Sequence, residues 1–236
     1  MKIMNHKCKT LVCAAILLVA GGIEARTINW GSAAFDNLYT SNGSSMGSSF
    51  TFDVGTFING FTPNASNTSS WLANWQVFDT ATTANGGWNA GSQVFSSSAN
   101  LQTNGTSSNA SVGSGTFATG DQGYIFAHDN TNPIAGSEWA LVTNDGIGPG
   151  NIAWTFPTLS DQTGLPLQWF LSNADKAIYG GLNNSQSAGT FTNDPGTYSL
   201  QSATFAAPVP EPSGLALSGT VFALFLLRHR RKSMKH

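Results

Sequence analysis

The sequence predicts an all-β domain, a β-sandwich of jelly-roll-like character with one short helix, flanked by an apolar helix at each end of the chain. Two observations carry this. Hydrophobic residues in the middle recur mostly at every second position, the period of a strand with one buried face. Turn dipeptides punctuate those runs: Asn-Gly at 42–43, 59–60, 85–86 and 104–105, and Asp-Gly at 145–146.

Taken in order, Phe50-Thr-Phe-Asp-Val alternates apolar and polar side chains and is an expected strand. The period then changes. Trp71, Trp75 and Phe78 recur at i, i+4 and i+7, and Asn67 or Thr68 can cap, so a short helix is predicted over 68–75. Residues 96–116 are poor in apolar side chains and read as a long loop or a weak edge hairpin. Segment 123–128 is a buried-strand run. Segments 138–143, 152–156 and 197–205 continue the strand pattern. Of the seven tryptophans, most are expected in the core. Trp88, flanked by Gly86-Gly87 and Asn89, is the one expected at the surface as a ligand contact.

The ends read differently. Lys2, Lys7 and Lys9 precede an apolar run of ten residues (11–20), and 21–25 close with the small Ala25. That is the order of a secretory signal peptide, residues 1–25, with cleavage after Ala25 or Gly22. The competing reading, a membrane anchor, meets a run too short to span about 30 Å. Cys8 and Cys13 both fall in this leader, so the mature chain holds no thiol for disulfides, catalysis or metal binding. Between 27 and 207, one Lys (Lys176) faces ten acids, a formal charge of −9. Such a surface cannot neutralise phosphates, which excludes nucleic acid as a partner.

At the other end, Pro208, Pro210 and Pro212 bar a helix before position 212, and Ser213 can cap the one that follows. The apolar residues 214–227 would give about 21 Å of helix, shorter than a hydrocarbon core of about 30 Å. Arg228, Arg230 and Arg231 follow, and the positive-inside rule keeps them cytoplasmic. The 26–207 domain then lies outside.

This three-part tail, 208–236, resembles a PEP-CTERM sorting signal, the tail that bacterial exosortases recognise. Carried over by position, Pro210, Glu211 and Pro212 are the recognition motif, 214–227 the membrane helix, and Arg228, Arg230 and Arg231 the stop and orientation signal. His229 interrupts the Arg run and Ser233–His236 extends the tail. A plain single-span anchor with a Pro-rich stalk is the competing reading. The resemblance implies an exported protein, held transiently at the inner membrane, then placed at the cell surface or in the extracellular matrix, with an exosortase-type membrane protease as partner. The middle also resembles ectodomains that precede such tails, in Asp53-Val-Gly-Thr-Phe, Gly60-Phe-Thr-Pro, Asn74-Trp, Glu138-Trp and Thr155-Phe-Pro. That likeness implies β architecture and no activity.

Chemistry is sparse. A general acid/base pair needs two carboxylates about 5–10 Å apart, and Asp121, Asp129 and Glu138 are candidates near strand ends. As turn residues they have a simpler role. His128 is the only histidine between 26 and 228, too few for a triad or a His-ligated zinc site. Gly146, Gly148 and Gly150 do not form a nucleotide fingerprint. Asp129 and Asp145 sit in oxygen-rich turns that could take calcium, without EF-hand spacing. The Asn-x-Ser/Thr sequons follow from the Asn/Ser/Thr-rich composition. The sequence thus points to a non-enzymatic surface or matrix protein without a cofactor. A carbohydrate-binding β-sandwich, calcium-assisted and bound to extracellular polysaccharide, is the alternative, and a secreted polysaccharide hydrolase the third.

Overall fold

A computed structural model describes residues 26–131, 134–159 and 164–205. The leader 1–25, the tail 208–236 and the sorting residues within it lie outside the described residues. In chain order the strands are β1 (Arg26–Gly31), β2 (Leu38–Tyr39), β3 (Thr51–Phe57), β4 (Trp75–Ala81), β5 (Trp88–Asn89), β6 (Val94–Leu101) and β7 (Tyr124–His128). They continue as β8 (Glu138–Thr143), β9 (Leu167–Phe170), β10 (Lys176–Tyr179), β11 (Gly181–Leu182), β12 (Ser185–Gln186), β13 (Leu200–Gln201) and β14 (Ala203–Thr204). One α-helical turn, α1 (Trp71–Asn74), follows a 3-10 turn at Thr68–Ser70.

Two main sheets face each other. One runs β5-β6-β1-β9, the other β10-β8-β7-β3-β4, with β14 pairing the start of β8. A small third sheet runs β12-β11-β13-β2. Most pairs are antiparallel; β1–β9 and β2–β13 are parallel. Between the main sheets lies an inner core. β1 and β6 contribute Ile28, Trp30, Phe95 and Leu101, and β3, β7 and β8 contribute Phe52, Val54, Ile125 and Val142. The alternate residues of the same strands, Phe57, Tyr124, Phe126, Trp139 and Leu141, form a second apolar layer on the sheet's other face. Burial on both faces explains why Tyr-Ile-Phe-Ala-His and Trp-Ala-Leu-Val read as near-continuous apolar runs.

The outer layer is roofed by Trp71 from α1, which lies against Trp139, Phe126, Tyr179 and Phe57 at ring distances of 5.9–6.0 Å. A short helix thus lies within the predicted 68–75, but of the three spaced aromatics only Trp71 is helical. Trp75 opens β4 and Phe78 points into the inner core, so the i, i+4, i+7 spacing does not mark one helical face. The helix start is also unusual. Asn67 makes no side-chain cap; its Oδ1 accepts instead from Trp71 Nε1 at 2.8 Å, anchoring the roof. The β3–β4 register slips between Val54 and Gly55, which face Asp79 and Val77, leaving Phe78 as the extra residue of a bulge in β4. A Cβ at Gly55 would strike the Gln76 carbonyl oxygen, so the bulge requires glycine.

Three expectations are corrected. Segment 94–101 is an inner strand between β5 and β1, not loop; Phe95, Ala99 and Leu101 point inward while Ser96 and Ser98 face solvent, so the exposed half masked the alternation. The rest of that stretch lies along the free edge of β4, with Gln76 Nε2 donating to the Thr116 carbonyl and Asn109 Nδ2 to Asp79, which covers an otherwise open edge. Segment 152–156 forms one isolated bridge, Gln122–Thr155, rather than a strand, although Trp154 and Phe156 are buried. Segment 197–205 splits into β13 and β14, which join different sheets.

Candidate functional site

The carboxylates singled out in sequence do not converge. Asp121 precedes β7 and its Oδ2 accepts the Ala118 N–H at 2.7 Å, closing its own turn. Asp129 follows β7 and accepts the Glu138 N–H at 2.9 Å. The intervening strand holds these two apart by about 15 Å, beyond an acid/base pair. Glu138 neighbours Asp129 but its carboxylate is engaged elsewhere. Its oxygens accept from Ser41 N (3.0 Å), Ser41 Oγ (2.5 Å) and Ser202 Oγ (2.8 Å), tying the turn after β2 and the link between β13 and β14 to the start of β8. Each acid is a structural tie, as a turn residue would be.

The two oxygen-rich turns named for calcium lie at opposite ends of one strand. Asp129 lies beside the start of β8 and Asp145 past its end, so the strand's six residues keep them about 20 Å apart. Asp145 Oδ2 accepts from Lys176 Nζ at 2.9 Å instead, and this ammonium holds its carboxyl below the usual carboxylate range. Among the described residues no three His, Cys, Asp or Glu side chains cluster.

Trp88 is corrected as well. It is 2% exposed, packs on Phe52 at 4.8 Å, and its Nε1 donates to the Gly47 carbonyl at 3.0 Å. The two flanking glycines serve different ends: Gly86 takes a positive φ in the open turn, whereas a Cβ on Gly87 would meet Ala81 at 2.9 Å, so Gly87 permits the close approach that buries Trp88.

Sequence reasoning passed over two buried acids. Asp53 faces His128 Nε2 at 3.0 Å in the outer layer, where Phe126 lies 4.9 Å from the imidazole. Asp79, 2% exposed, accepts from Trp30 Nε1 (2.8 Å), Asn109 Nδ2 (2.6 Å) and Thr80 N (2.9 Å). A charged residue within a strand, between Phe78 and Thr80, was the signal available. Three donors satisfy this carboxylate without a cation. Beside it a shallow polar hollow of about 460 Å³ is lined by Asn85, Ser96, Ser98, Asn109 and Ser111.

A larger hollow, about 640 Å³, lies at the other end of the sandwich, where Arg26, Asn144, Asn151, Gln168 and Asp175 surround Trp154 and Trp169. Ile152 and Leu165 on its wall are more than four-fifths exposed. The indoles of Trp154 and Trp169 stack at 6.1 Å and 18°, and they are buried, so they form a floor rather than a platform. Phe205, where the described chain ends, donates its N–H to Ser137 at the opposite end of β8. The domain therefore begins at one pole and ends at the other. Among the described residues no helix is long and apolar enough to cross a membrane. No family model, curated protein or solved structure matches the chain.

Proposed function

We propose that the chain is an exported, non-enzymatic cell-surface or extracellular-matrix protein whose C-terminal end is recognised and processed by an exosortase-type membrane enzyme. The carrying observation is the ordered tail in the sequence: Pro210-Glu211-Pro212, an apolar stretch too short for a permanent span, then Arg228, Arg230 and Arg231. Two features of the domain support the reading. Its candidate carboxylates are engaged in turns and ties rather than gathered in a cleft. Arg26 and Phe205, the first and last described residues, lie at opposite poles, so a tail held at the membrane would leave the Arg26 end outermost. The jelly-roll-like description belongs to this reading. It rests on the largely antiparallel path β10-β8-β7-β3-β4 packed against β5-β6-β1, with the parallel β1–β9 pair as its departure.

Mass spectrometry of the mature protein from its native host tests the proposal. The expected C-terminus lies near Pro212, and replacing Pro210, Glu211 and Pro212 with alanine leaves the tail intact and the protein in the membrane. A mature surface protein still ending at His236 would sink it. The hollow at the outward pole favours a second reading, a carbohydrate-binding module on extracellular polysaccharide. Amide and charged groups over an aromatic floor suit sugar hydroxyls. A glycan array with and without calcium decides this, and an Asn151→Ala variant that binds unchanged argues against the hollow.

A further inference from the structure

We propose that Asn59 is a self-modification site, at which the side-chain amide converts to aspartate and isoaspartate while the fold preserves the other three Asn-Gly pairs. In an Asn-Gly pair the glycine lacks a Cβ, so its backbone nitrogen can reach the preceding side chain. The Gly60 nitrogen gives up its proton and bonds to Asn59 Cγ. The Cγ–Nδ2 bond breaks and ammonia leaves, closing a cyclic imide. Water then opens either carbonyl, giving aspartate or isoaspartate with a new negative charge.

All four pairs share this sequence chemistry, but three are locked. Asn42 Oδ1 accepts from Thr40 Oγ1 (2.7 Å) and Ser44 N (2.9 Å), and the Gly43 N–H donates to Thr40 (2.9 Å). Asn85 Oδ1 accepts from Thr82 N and Gly87 N at 2.9 Å, its Nδ2 donates to the Thr80 carbonyl at 2.9 Å, and the Gly86 N–H donates to Thr83. Asn104 Oδ1 accepts from Thr106 N (3.0 Å) and Oγ1 (2.7 Å), and the Gly105 N–H donates to Gln102 (2.8 Å). In each, both reacting groups are already bonded.

Asn59-Gly60 forms the two central residues of a left-handed turn, φ 58° and 69°, closed by Phe61 N–H to the Ile58 carbonyl at 3.0 Å. Both are exposed, and a Cβ on Gly60 would meet nothing within 4 Å. Among the described residues neither the Asn59 amide nor the Gly60 N–H makes a hydrogen bond. Opening a single turn bond frees the pair to react. The product carboxylate stands on a hollow of about 580 Å³ that Asp121, Gln76 and Tyr124 also line.

The test is peptide mapping of the purified full chain after incubation in mildly alkaline buffer, with isoaspartyl methylation as a second readout. Asn59 is expected to convert at least about tenfold faster than Asn42, Asn85 or Asn104, equal to about 1.4 kcal/mol of additional opening in the locked turns. In denaturant the four rates are expected to converge. Equal native rates, a faster locked site, or a spread that persists in denaturant would overturn the proposal. The variant Thr40→Val, which removes a donor to Asn42, is expected to raise conversion at Asn42, and an unchanged rate there would overturn the hydrogen-bond basis.

Discussion

The two faces of the central sheet are built from the same strands and covered in different ways. Inward, β3, β7 and β8 meet a second sheet, so strand packs on strand and both sides are held by ladders. Outward, the same strands meet one turn of helix and partly buried loop residues, among them Phe61 and Phe191. Both layers are rich in aromatics. What differs is the backbone behind the cover. Regular ladders resist local opening, whereas a four-residue helix has little stability apart from the packing of its one buried residue, Trp71. The inner core should therefore fail with the whole domain, and the outer layer should be able to fail alone.

The largest expected effect tests the inner half of that contrast. Phe52 stacks on Phe95 at 4.0 Å and lies 4.8 Å from Trp88, fully buried. Phe52→Ala should cost about 3–5 kcal/mol in denaturant unfolding while keeping one cooperative transition. A loss below about 1 kcal/mol would mean that the site collapses freely and the core is not close-packed. Trp71→Ala should cost about 3 kcal/mol or more, with a different signature. Amide exchange should accelerate in β3 near Phe57, in β7 and around α1, while the β1–β6 ladder stays protected. Uniform acceleration would dissolve the distinction between the layers.

The same contrast governs what the sequence could disclose. β3, β7 and β8 were legible because their apolar side chains are large on at least one face and the runs are bounded by turn residues. The roof was found at the right place but for the wrong reason: Trp75 and Phe78, which completed the helical spacing, belong to β4, and only Trp71 sits on the helix. β6 was not, since its outward positions are Ser96, Ser98 and Asn100 and its inward Ala99 is small. Trp88 was misread because glycine marks both exposed turns and close approach, and only the position of Ala81 tells them apart. Local sequence could not show that Glu138 reaches Ser41 and Ser202, residues 97 and 64 positions away. The tail that we propose as a sorting signal rests on the opposite kind of evidence, a wholly local pattern in 208–236.

An alkaline titration sharpens the comparison further. Tyr124 and Tyr179 both belong to the outer layer, and burial raises both phenols above 10.0, helped by Asp145 for Tyr124 and Glu138 for Tyr179. A raised folded value means the neutral phenol is favoured in the fold. That stability is complete below the unfolded value of about 10 and is lost as pH rises through the folded values. Above about pH 10, amide exchange should therefore accelerate under α1 before β1–β6 loosens. Simultaneous loss of both layers would argue that they form a single cooperative unit.

The smallest effect lies at Asp145, where the two limbs of the pH profile meet. Its carboxyl is lowered chiefly by the hydrogen bond from Lys176, which outweighs the opposing effect of desolvation and is helped by the Ile147 N–H. A lowered folded value contributes stability above about 3.8 that is lost as pH falls through the folded value. Because the Lys176 side chain is half exposed, solvent screening leaves the pair about 0.5 kcal/mol or less. Asp145→Asn should remove that much near neutral pH and flatten the acid limb. The same charge also raises the Tyr124 phenol, so its loss should move the alkaline limb slightly to lower pH. Thermal unfolding across the pH range reads both shifts in one variant. An acid limb that moves while the alkaline limb stays fixed would mean that Asp145 acts only through Lys176 and that its field does not reach the outer layer.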